Sequence, residues 1–255
     1  MKQGLTLQVA LLSKQTEAGE IQVMTLAQAG QWFRQHYQVT PPTSVVCLDD
    51  WKQEGRKTVW YDSRCYRLNL LWENGSFHIR DVHCFNENVA AVTHDAAMNT
   101  TALAYETMPM MDGALWSGTQ KAGMWPVLLS TNTEASPLAP DGPPVVKELN
   151  RTDLSIRQPL LGGGIFSMIC TESKVICSAM DERGKALNWA WDLVGGAGQK
   201  SAVQAVTAND ISYQFAGTNY KLKLSAGSCE QAGDGIIRLH SDKKGKIGLD
   251  LNVTK

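Results

Sequence analysis

The sequence predicts a mostly-β protein: one large antiparallel β-sandwich of supersandwich-like size, behind a short α/β remnant. Two observations carry this. From Ser44 onward, short runs rich in Val, Ile, Tyr, Trp and Thr recur between turn signals, at roughly the eight- to twelve-residue spacing of a sandwich or barrel. Ahead of them the chain has helical periodicity around a single short β-like run. The expected boundaries are residues 1–43 for the remnant and 44–255 for the sandwich.

In the remnant, Leu5 to Leu12 carry a helical apolar pattern, EIQVM (20–24) reads as a strand, and TLAQAGQWFRQHY (25–37) as a helix. Thr25 with Gln28 makes a capping box, and Leu26, Ala29 and Phe33 share one face beside Trp32. Pro41 and Pro42 end the unit. One strand between two helices has no partner for its backbone groups, so it either joins the edge of the sheet that follows or has its neighbours upstream, the reading that the repetition of βα units favours.

The expected strands cover 43–51, 56–63, 65–73, 76–85, 101–110, 144–150 and 152–160. Further strands are expected at 164–172, 174–181, 187–194, 210–218, 219–227, 235–242 and 246–253. Asn74-Gly75 is the strongest hairpin signal, with others at Gly217 and Lys244-Gly245. The Pro-rich segment 130–144 reads as an excursion within one sandwich.

Composition excludes several functions. Net charge is −1 with no dense basic tract, which argues against nucleic acid and membrane surfaces as partners. No run of apolar residues is long enough to span a membrane. The N-terminus is a poor signal peptide, although a longer parent could be exported, so the compartment stays open. The six cysteines form no CxxC pair or zinc spacing, and the chain reads as reduced. LGGGIF (161–166) and GGAG (195–198) lack the residues of a phosphate loop. No cofactor is expected. Asn99, Asn150 and Asn252 begin sequons, triplets that arise often by chance.

Candidate chemistry concentrates in WYDSRCYRLNLLWENGSFHIRD (60–81). Strict alternation puts Leu68, Leu70 and Trp72 on one face of the first strand and Asn69, Leu71 and Glu73 on the other. On the return strand it groups Phe77, Ile79, Asp81 and His83 against His78, Arg80, Val82 and Cys84. Neither face is cleanly polar, so both are expected to be covered. The arginines and Asp81 then either pair internally, fixing register, or grip sugar hydroxyls beside Trp60, Tyr61 and Tyr66. The candidate carbohydrate-binding residues are Trp60, Tyr61, Arg64, Tyr66, Arg67, Arg80, Asp81 and His83. Eight tryptophans against five phenylalanines fit either a sugar-contacting surface or a Trp-filled core.

Asp49 and Asp50 point to opposite strand faces and so cannot flank one glycosidic bond together; pairing with Glu87, Glu106 or Asp112 stays open. Asp81, His83 and His94-Asp95 fit no metal-ligand spacing, and no metal site is expected. A histidine with a glutamate could still serve as acid and base in a sugar-ring-opening epimerase.

VMTLAQAGQWFRQHYQVTPPTS followed by TVWYDSRCYRLNLLWENGSFHIRDVHCF resembles the junction and C-terminal β region of large bacterial glycoside-hydrolase-like and polysaccharide-deacetylase-like proteins. The matching positions are Val23, Thr25, Leu26, Trp32, Pro41, Pro42, Trp60, Tyr61, Ser63, Tyr66 and Arg67; Cys65 stands where an aromatic residue is expected. The likeness covers roughly residues 20–118. It implies that residues 1–40 end a (β/α) barrel whose catalytic strands lie upstream. It further implies a carbohydrate-associated β domain that is non-catalytic in isolation, with an oligo- or polysaccharide and that barrel as partners. The alternatives are a free-standing sandwich enzyme of mutarotase, epimerase or lyase type, and a purely structural β domain.

Overall fold

The computed structural model describes residues 2–50, 52–90, 107–118, 121–129, 135–195, 202–233 and 235–253. The chain divides into two compact units, up to Thr40 and from Pro41 onward.

The first unit holds α1 (Lys2–Glu17) and α2 (Leu26–His36). Thr25 caps α2: the Gln28 amide donates to Thr25 Oγ1 at 3.2 Å, and the Thr25 amide donates to Gln28 Oε1 at 2.9 Å. The strand expected at 20–24 does not form. Among the described residues its backbone has no neighbouring strand to bond, and an unpaired run is not a sheet.

The second unit begins with β1 (Thr43–Cys47), β2 (Lys57–Asp62), β3 (Tyr66–Glu73), β4 (Ser76–Cys84) and β5 (Met108–Asp112). A one-turn helix, α3 (Gly113–Trp116), leads to β6 (Gly123–Leu129) and β7 (Ala135–Pro137). Then come β8 (Val145–Glu148), β9 (Leu154–Pro159), β10 (Ile165–Cys170), β11 (Lys174–Met180) and β12 (Trp189–Val194). The chain continues with β13 (Val203–Val206), β14 (Asp210–Phe215) and β15 (Thr218–Ala226). It ends with β16 (Ser228–Gln231), β17 (Ile236–His240) and β18 (Lys246–Asp250).

These strands form two antiparallel sheets, a β-sandwich. The first has ten strands in the order β1-β2-β3-β4-β6-β12-β17-β16, with β5 beside β4 and β7 beside β6. The second has eight, β13-β14-β15-β18-β11-β10-β9-β8. Residues 138–144 cross from the first sheet to the second, so the described part of the Pro-rich segment is an inter-sheet excursion. Lys244-Gly245 also crosses: β17 and β18 belong to different sheets, so the hairpin expected there is instead a turn between layers. At Ala216-Gly217 the expected hairpin does form, joining β14 to β15.

The core lies between the sheets. Phe166 meets Phe77, Trp189 and Trp191 with ring centroids 5.0–5.7 Å apart, near-perpendicular to the two indoles. Such edge-to-face contacts add to the large area each ring removes from water. Aromatic polar tips reach across the core. Trp72 Nε1 donates to Gln158 Oε1 at 2.8 Å and Trp189 Nε1 to the Gly245 carbonyl at 2.9 Å. All six cysteines are free, and all but Cys47 are buried.

One irregularity decides what the outer face of the first sheet carries. The β3–β4 hairpin turns at Asn74 and Gly75, both with positive φ (51° and 71°), the geometry an Asn-Gly pair adopts most easily. From there Trp72 pairs with Phe77, Leu71 with His78 and Leu70 with Ile79. The next partner of Asn69 is Asp81, so Arg80 is an extra residue, a β-bulge. Strict alternation placed Asp81 and His83 with Phe77 and Ile79. The bulge reverses that: Val82 and Cys84 join Phe77 and Ile79 in the core, while Asp81 and His83 join His78 on the outer face.

Candidate ligand site on the outer face of the first sheet

The register of β2, β3 and β4 lines up Trp60, Asn69 and Asp81 as direct cross-strand neighbours on the outer face. Beside them Leu71 opposes His78. Ile79 pairs with Met124, which sets His78 against Trp125 of β6; their rings stack at 4.0 Å and 16°. The stack needs Gly123. A Cβ there would lie 2.9 Å from His78 Cδ2 and 3.2 Å from Trp125 Nε1. Gly113 is as tight, with its virtual Cβ 2.8 Å from Arg80 Cγ, so the turn into α3 closes over Arg80.

Between these groups is a cavity of about 300 Å³ lined by Arg56, Leu71, Glu73, His78, Arg80 and Lys121, among others. Lys121 Nζ donates to Glu73 Oε1, and Arg56 Nε sits 3.7 Å from Glu73 Oε2. Burial pushes the Glu73 carboxyl up, but the Lys121 hydrogen bond and the neighbouring positive charges outweigh it and hold it below the usual value. Burial drives the His78 imidazole down to about 4, so it is neutral at pH 7. His78 is only 2% exposed, and its Nδ1 has no hydrogen-bond partner among the described residues.

Trp60 borders the same surface. The guanidinium carbons of Arg80 and Arg67 lie 5.4 Å and 6.0 Å from its ring centroid, within cation–π range. Arg80 Nε donates to Asp81 Oδ2 at 2.8 Å. Arg67 Nε, Asn69 Oδ1, His78 Nδ1 and Asp81 Oδ1 are four of the six buried side-chain polar atoms without a partner among the described residues. They gather on this one face.

The structure therefore brings Trp60, Arg67, Arg80, Asp81 and His83 to one face and removes the other three expected residues from it. Tyr61 and Tyr66 point inward, because alternation in β2 and β3 puts them with Val59 and Leu68. Their hydroxyls donate to carbonyls of Thr152 (2.6 Å) and Thr171 (2.9 Å) beside the second sheet. Arg64 lies in the β2–β3 turn, paired with Glu172 at 3.0 Å. His83 is fully buried, with Nε2 3.0 Å from Asp112 Oδ2 and Nδ1 2.9 Å from Thr107 Oγ1. Asp112 Oδ1 caps α3 through the Leu115 amide at 2.8 Å. That arrangement is a brace: it ties His83 to Thr107 and Asp112, and Asp112 to the start of α3. Asp50 orders its own turn by accepting the Lys52 and Arg56 amides. Trp51, His94, Asp95, Asn99 and Glu106 lie outside the described residues, as do 101–106 of one expected strand and most of GGAG.

Of the residues that line the cavity only Arg80 was among the sequence candidates; Arg56, Glu73, His78 and Lys121 were not, nor was Trp125, which stacks on His78. Trp125 sits in a strand hidden by Pro126, because proline argues against a central strand. The available signal was Gly123 followed two residues later by an aromatic residue.

The chain matches no family model, no curated protein and no solved structure. The site is read from its own geometry.

Proposed function

We propose that the β unit is a carbohydrate-binding domain, the C-terminal carbohydrate-associated part of a glycoside-hydrolase-like or deacetylase-like protein, with no catalytic role of its own. The observation that carries this reading is the cavity wall itself, where a neutral, buried His78 stands beside Arg56, Arg80, Lys121 and the Glu73 carboxylate. A polyhydroxylated ligand needs donors and acceptors interleaved at short range, and such a wall supplies them. The resemblance around Trp60 and Arg67 supports the same ligand class, and a barrel domain is the partner it implies. The test is binding of the 255-residue chain to an array of neutral and acidic glycans, with His78→Ala as control. Binding that the variant loses while staying folded supports the reading; no binding to any glycan overturns it.

A second reading has one observation in its favour. Glu73 and His78 line the same cavity, and a carboxylate with a neutral imidazole can move protons at a sugar's anomeric centre. Acceleration of anomer exchange of a free aldose, lost in Glu73→Gln, would establish it in place of the binding role.

A further inference from the structure

We propose that the ligand of this site is a sugar chain of several units that runs across the strands, toward Arg238, and not a single sugar. This rests on the carbohydrate reading and deepens it. The outer row that includes His78 does not stop at the cavity. Trp125 is the direct partner of Asp192 on β12, Asp192 of Arg238 on β17, and Arg238 of Glu230 on β16. The row from His78 to Glu230 thus crosses β4, β6, β12, β17 and β16 on one face. Adjacent strands are about 4.8 Å apart, which puts Arg238 about 14 Å from His78, three strand spacings away.

The far end is built, not merely polar. Arg238 Nε and Nη2 donate to the two Asp192 oxygens at 2.6 Å and 2.8 Å, a bidentate clasp. The Asp192 hydrogen bond raises the Arg238 pKa, keeping the guanidinium charged. The clasp uses two of its nitrogens and leaves Nη1 beyond it, on a side chain one-fifth exposed. Next to it His240 Nε2 meets Glu230 Oε1 at 2.9 Å. Between the ends stands Trp125, one face of its ring covered by His78, an apolar ridge joining two fixed polar clusters. A lone pyranose is no wider than about one strand spacing and reaches only the first cluster. A chain laid across the strands reaches both.

The test measures binding of the full chain to glycans printed at each length from disaccharide to hexasaccharide. The variant is Asp192→Asn/Arg238→Gln, which removes both charges together so that neither is left buried alone. The expected result is tighter binding of longer chains, with about a tenfold loss for the hexasaccharide in the variant, as for one charged hydrogen bond, and no change for the disaccharide. Glu230→Gln, at an exposed position, repeats the comparison without touching the clasp and is expected to weaken only long chains. Equal affinity at every length, or an equal loss at every length, overturns the extended site and leaves the carbohydrate reading standing. No glycan bound at any length overturns both.

Discussion

Asn69 and Asp81 face each other across β3 and β4, one step beyond the Arg80 bulge, both buried and each with an Oδ1 that has no hydrogen-bond partner among the described residues. Their other atoms are spoken for. Asn69 Nδ2 donates to Thr58 Oγ1 (2.6 Å) and the Val59 carbonyl (3.2 Å), and Asp81 Oδ2 accepts from Arg80. The juxtaposition explains why Asn and not Asp stands at 69: the position must donate on one side and tolerate a carboxylate on the other.

Asn69→Asp should therefore destabilise the fold by about 2–4 kcal/mol at neutral pH, from two lost donations and a second carboxylate opposite Asp81. The new carboxyl would have a folded pKa above its unfolded one, so the penalty is full at neutral pH and shrinks as acid protonates it. Urea midpoints of both proteins at neutral and mildly acidic pH measure this. A penalty that does not change with pH would mean that the two side chains are not coupled.

Tyr61→Phe and Tyr66→Phe should each cost about 1 kcal/mol, the usual net value of one hydrogen bond. The lost bonds run to the Thr152 carbonyl and to those of Thr171 and Lys174. Glycan affinity should not move, because both hydroxyls point away from the outer face. A drop in affinity at unchanged stability would return them to the site.

The sandwich was legible because its signals are local: period-two apolar runs, Asn74-Gly75 and Gly217 lie within a few residues of the strands they organise. The site was legible only in part. Trp60, Arg67, Arg80 and Asp81 drew attention as polar and aromatic residues in strands that also carry core positions. Their shared face depended on the bulge at Arg80, and a bulge is a register event between two strands that no single-strand pattern records. Tyr61 and Tyr66 misled because a tyrosine that braces two sheets and one that meets a sugar have the same composition. Trp125 was missed because β6 contains Pro126 and its partners β4 and β12 are distant in sequence, and Lys121 because its partner Glu73 is 48 residues away along the chain.

Gly123→Ala should cost about 1–3 kcal/mol, the range for forcing one carbon into a packed place. The added carbon would meet His78 Cδ2 at 2.9 Å and the Ile79 carbonyl at 3.3 Å, so the His78–Trp125 stack must part. The near-ultraviolet circular dichroism of Trp125 should change along with stability, and glycan binding should fall. Retention of all three would show that the stack is not what holds the cavity wall.

The last prediction concerns pH. Burial holds the folded His78 near 4, against an ordinary value of 6.5. A base whose folded pKa is depressed binds a proton more readily when unfolded, so acid favours unfolding. The contribution of neutral His78 is complete above pH 6.5 and is lost as pH falls toward 4, by up to about 3 kcal/mol. In His78→Gln this part of the acid sensitivity should vanish, so the stability difference between wild type and variant narrows across that window. Denaturant titrations at half-unit pH steps would show it, and a constant difference would mean that His78 titrates alike in both states.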